Sequence, residues 1–134
     1  MNVKIDTKER FSVITPKVTE LTAIMTGELS NLLLPYLQKD IPHIILNMTS
    51  ILELDEQIAN CLADLQQRFY ENNCSFVICE LQPKVEDKLN KFDLLEILNV
   101  TPTETEAWDI VQMEEIEREL LDSDDMEFSL QNEE

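Results

Sequence analysis

The chain has 134 residues, 43% of them apolar, and a net charge of −18. That length fits one domain with a core of useful size, and no apolar run reaches the roughly 18 residues that a membrane-spanning helix needs. A polyanion repels nucleic acid and anionic lipid, so the composition argues against DNA or RNA binding and against membrane insertion.

Val3-Lys4-Ile5 reads as a short edge strand, and Phe11–Val18 as a strand in which Pro16 marks an edge or an exit. Leu21, Met25, Leu29, Leu32, Leu33, Tyr36 and Leu37 then recur at helical spacing, with Thr19 or Thr22 as the cap. Gly27, the only glycine, lies inside this segment. It implies either close packing against a neighbour or a split into two pieces. After Pro42, His43–Met48 is a continuous apolar strand of the kind buried on both faces. A loop leads to Asp55 and to a helix whose apolar stripe is Ile58, Cys61, Leu62, Leu65 and Phe69, ended by Glu71-Asn72-Asn73. Cys74–Cys79 is another apolar strand. Gln82-Pro83 opens a third helix with the stripe Val85, Leu89 and Phe92, and Leu95–Leu98 reads as a short last strand.

Thr101-Pro102-Thr103-Glu104 reads as a capping box, with Pro102 in the first helical position. The helix it opens runs to about Leu121, with Ala107, Ile110, Val111, Met113, Ile116 and Leu120 inward and Glu114, Glu115, Glu117 and Glu119 wet. Residues 104–134 hold 13 acids and one base, against 15 acids and nine bases in 1–103. The acid serves solubility or a partner with a basic surface. Residues 1–121 are expected to form the domain and 122–134 an acidic, disordered tail. In that tail Met126, Phe128 and Leu130 are either incidental or a short docking motif. Strands and helices alternate, which predicts an α/β fold: a central mixed sheet of four to five strands flanked by about four helices.

The residues needed for common chemistries are missing. One histidine, His43, abuts Pro42 at a strand start and has no partner for a triad. One glycine cannot build a phosphate cradle. Asp122, Asp124 and Asp125 lack the glycine turn and distal glutamate of a calcium loop. Cys61, Cys74 and Cys79 have no metal-type spacing and read as reduced, buried thiols. The N-terminus lacks an apolar leader, which predicts a cytoplasmic protein and makes the sequons at Asn47, Asn73 and Asn99 chance matches. Asp55 and Glu56 suit the positive end of a helix dipole. No catalytic residue, metal site or cofactor is expected.

Ile44–Met48, the loop ending in Leu54-Asp55, the helix Ile58–Phe69, the strand Phe76-Val77-Ile78 and Thr103–Ala107, with its Thr-x-x-x-Ala pattern, resemble the STAS family. This is the domain shared by anti-sigma factor antagonists and sulphate transporters. The likeness covers about Phe11 to Ile116. In that family the loop reads Asp-Ser-Ser-Gly, and a partner kinase phosphorylates the second serine. Here the positions are Asp55-Glu56-Gln57-Ile58, so the aligned site has no hydroxyl, and a shift by one residue places Glu56 there. Glu56 resembles a modified state in charge, whereas Gln57 resembles an unmodified serine in hydrogen bonding. Ile58 in place of glycine implies a remodelled loop.

The resemblance implies a non-enzymatic module whose partner surface is Asp55, Glu56, Gln57, Ile58 and Ala59. The implied partner is a protein, such as a kinase-type anti-sigma factor, and the output is transcription through partner switching. Two alternatives stay open. One is a fixed scaffold subunit of a larger assembly, using the acidic C-terminal helix and tail. The other is a small-ligand domain for nucleotide or lipid.

Overall fold

The computed structural model describes residues 1–131, with side chains through Leu121. Among the described residues seven strands and four helices follow in the order β1 Val3–Thr7, β2 Ser12–Pro16, β3 Glu20–Leu21, α1 Thr26–Leu33, β4 Ile44–Asn47, β5 Glu53–Leu54, α2 Glu56–Glu71, β6 Phe76–Cys79, α3 Pro83–Lys91, β7 Val100–Thr101 and α4 Glu104–Gln131. The main sheet has the order β1-β2-β4-β6-β7. Only the β1–β2 pair is antiparallel. This is the mixed sheet expected from the alternation.

Register sorts the side chains of the central strands. Val13, Ile45 and Val77 lie in line on one face, and Ile14, Leu46 and Ile78 on the other. The second set joins Leu29 and Leu33 of α1, Ile58, Leu62, Leu65 and Phe69 of α2, and Val85 and Leu89 of α3 in the larger core. The first set packs under Ala107 and Val111 of α4. Both faces are covered, which is why β4 and β6 are apolar without alternation. Each such buried Leu, Ile or Phe contributes about 1.5–3 kcal/mol.

Four local readings are corrected. The long N-terminal helix is broken: Leu21 lies in β3, and short 3₁₀ turns at Ala23–Met25 and Leu34–Gln38 flank α1. Gly27 is not a close-packing site, because a Cβ there would meet nothing within 4 Å. The last strand is Val100–Thr101, not Leu95–Leu98. Leu94 and Leu98 are both buried, and the Leu98 N–H donates to the Leu94 carbonyl at 3.1 Å, so the chain turns there. With Thr101 in a strand the last helix starts later. Its cap is Thr103, whose Oγ1 accepts the Glu106 N–H at 3.2 Å. Pro102 lies outside the helix.

The faces of α4 are also corrected. Ala107 and Val111 are buried, but Met113, Ile116 and Leu120 are 54%, 54% and 55% exposed. The inward positions after Val111 belong to Glu114 and Arg118. Glu114 accepts a hydrogen bond from Ser75 Oγ at 2.6 Å, and Arg118 Nη2 donates to the same hydroxyl at 2.9 Å. Past Val111 the helix crosses the polar start of β6, so its inner face turns polar there. The helix continues ten residues beyond Leu121. The expected tail, 122–134, falls where side chains, and from 132 the residues themselves, lie outside the description.

Candidate functional site

The loop between β4 and α2 is held by backbone bonds at both ends. The Met48 N–H donates to the Cys79 carbonyl at 2.9 Å, and the Leu52 N–H to the Thr19 carbonyl at 2.7 Å. The pair β3–β5, not foreseen in the sequence, fixes the exit, with Leu21 opposite Leu54. Lys84 of α3 binds Glu53 at 2.6 Å and holds that carboxyl below its usual range.

Asp55 begins α2 with both oxygens engaged. Oδ1 accepts the Ile58 N–H at 3.0 Å, and Oδ2 accepts the Ala23 N–H at 2.8 Å. The first bond caps the helix. The second ties the helix start to the 3₁₀ turn Ala23–Met25. Asp55 therefore organises the site from a half-buried position.

The five residues expected to form the partner surface divide. Glu56 and Gln57 are exposed, Asp55 is half-buried, and Ile58 and Ala59 are wholly buried. A helix turns about 100° per residue, so two residues on from each member of the exposed pair, about 200° round, the chain faces the core. Ile58 and Ala59 are core residues of the larger cluster and present no surface. Asn60, one turn on, returns to the exposed face. Sequence reasoning missed the neighbours that the fold brings alongside. Ile24, in the turn tied to Asp55, is 90% exposed, and Leu52 is also exposed. The signal for Ile24 was present: an apolar residue out of phase with the Leu21, Met25 and Leu29 stripe.

The family model of the STAS domain matches residues 2–107. The chain belongs to the STAS domain family. Solved structures agree on the STAS fold. A Thermotoga maritima protein described as an anti-sigma factor antagonist superposes with a TM-score of 0.74 at 17% identity, over 82% of this chain and 94% of that one. An anti-sigma factor antagonist (STAS) domain protein from Planctomyces limnophilus gives 0.70 at 17%, over 82% and 97%. A chain from the stressosome, described as a signal integration and transduction hub, gives 0.62 at 12%, over 81% and 96%. No curated protein sequence matches. Among the described residues no helix is long and apolar enough to cross a membrane.

Several other polar groups in this STAS domain are spent internally. His43 Nδ1 accepts the Ser75 N–H at 3.0 Å, and burial, with Arg118 nearby, pushes its pKa down. Burial, then Glu104 and Glu80, push the Cys79 thiol up to about 12. A cleft between α2 and α4 is lined by Gln66, Tyr70, Asn99, Glu114 and Arg118 among others. Gln66 there binds the Ile97 carbonyl and the Asn99 N–H, and Glu114 accepts from Ser75 and Asn99. Arg118 Nη1 is buried beside them with no hydrogen-bond partner among the described residues, so one cationic donor of the cleft stays unspent.

Proposed function

We propose that this STAS domain is a non-enzymatic, cytoplasmic interaction module that acts as an anti-sigma factor antagonist does, and that the α2 start is its docking face. The observation that carries the reading is the exposed pair Glu56 and Gln57, held out by the Asp55 cap and lacking a hydroxyl. Such a face engages a partner without being switched off by phosphate at these positions. Glu56 and Gln57 supply a polar rim, and Ile24 and Leu52 supply apolar anchors beside it. The partner class is a kinase-type anti-sigma factor, and the output is transcription.

The test is titration calorimetry of candidate kinase-type anti-sigma factors with the wild type, Glu56→Lys and Gln57→Lys. Both residues are exposed, so the variants fold. Affinity should fall, most strongly at low salt, as for a charge introduced at a polar rim. Unchanged affinity removes the assignment, and so does phosphate found by mass spectrometry on Thr49 or Ser50 after incubation with kinase and ATP.

A second reading has support from the stressosome neighbour: a fixed subunit of a larger assembly, held by α4 and the segment beyond it. Deleting residues 122–134 separates the two. Loss of assembly with normal Glu56→Lys behaviour favours the scaffold.

A further inference from the structure

Met113, Ile116 and Leu120 follow one another at three and four residues, so they form a single stripe along α4. All three are more than half exposed and point away from the sheet. Isolated surface leucines are ordinary, but a heptad-spaced row on one helix is the seam used in helix–helix pairing. Both edges of the row are acidic. Glu117 flanks one side and Glu119 the other, and Glu106 and Asp109 continue the line toward the start of the helix, all exposed. The one base among the described residues of α4, Arg118, is turned inward onto Ser75.

Charge decides what fits there. A second copy of this chain would set acid against acid. An anionic membrane is repelled for the same reason. A helix with an apolar row edged by Lys or Arg satisfies both parts of the surface. We infer that the outward face of α4 is a second docking site, separate from the α2 start, for a basic amphipathic helix of another protein. This face belongs to the helix that covers the opposite side of the sheet from α2. One domain could therefore hold two proteins at once.

The test uses the full chain and a fluorescein-labelled Leu/Lys peptide of about 18 residues with leucines at heptad a and d positions. Fluorescence anisotropy at about 0.15 M salt limits long-range attraction to the net charge. The peptide should bind at least roughly tenfold tighter than a composition-matched scramble, and the Ile116→Ser/Leu120→Ser variant should lose that margin. Gln57→Ala should leave it intact. The urea midpoint of the double variant should match the wild type, since both side chains are already exposed. Equal binding of the scramble overturns the inference, and so does unchanged binding by the double variant. A wild-type dimer in sedimentation that the double variant abolishes assigns the face to a second copy. Vesicles of phosphatidylserine and phosphatidylcholine that bind the wild type but not the double variant assign it to lipid. Either result also overturns it.

Discussion

Removing the Asp55 carboxylate is the sharpest perturbation of the site. Asp55→Ala deletes two hydrogen bonds at once, the cap to the Ile58 N–H and the tie to the Ala23 N–H. Loss of an N-cap costs about 1 kcal/mol. Loss of a bond from a charged acceptor costs about 1.5–3 kcal/mol, and here it strands a part-buried N–H. The two together give about 3 kcal/mol. At about 2.1 cal/mol/K per residue of unfolding entropy, a chain of this length loses roughly 10 °C in Tm. Asp55→Asn should fall between. Its one oxygen can keep the cap, but its amide then points a donor at the Ala23 N–H. Urea unfolding followed by far-UV circular dichroism measures both variants. If Asp55→Ala is within about 0.5 kcal/mol of wild type, the size of an ordinary surface change, the carboxylate does not organise this site. If Asp55→Asn is as stable as wild type, the assignment of one bond to each oxygen is wrong.

Gly27→Ala should stabilise by about 0.5–1 kcal/mol, because a helical alanine replaces a glycine whose Cβ space is open; a lower urea midpoint would contradict this. His43 titrates near 6.5 when unfolded and lower when folded, so its contribution is complete above that pH and is lost as the pH falls through 6.5 towards the folded value. Between pH 7.5 and 5.5 the stability of wild type should therefore fall relative to His43→Gln, and a constant difference would show that the buried imidazole is not responsible.

Much of the fold is legible in the chain because local and global signals agree. His43–Met48 and Cys74–Cys79 carry unbroken apolar runs, and they become the doubly covered strands β4 and β6. The α2 stripe and its stop at Asn72 and Asn73 also agree, with Asn73 at φ 59°. The reading failed where period alone could not decide. The Leu21–Leu37 pattern reads as one helix, yet Leu21 pairs with Leu54 across β3–β5, a contact 33 residues away that no local signal carries. In α4, apolar residues at helical spacing look inward by default. Glu114 and Arg118 take the inner positions because Ser75 and Asn99 wait beneath them, and those partners come from other elements.

Composition and periodicity alone determined an acidic α/β domain with no hydroxyl in Asp55-Glu56-Gln57-Ile58, because these properties belong to the residues themselves. Which side chains a partner can reach was decided only by packing. Burial of Ile58 and Ala59, the placing of Ile24 beside Asp55 and the outward turn of Met113, Ile116 and Leu120 depend on neighbours far along the chain. Exposure is a property of the assembled layers, and sequence spacing constrains it only when the opposing surface is known.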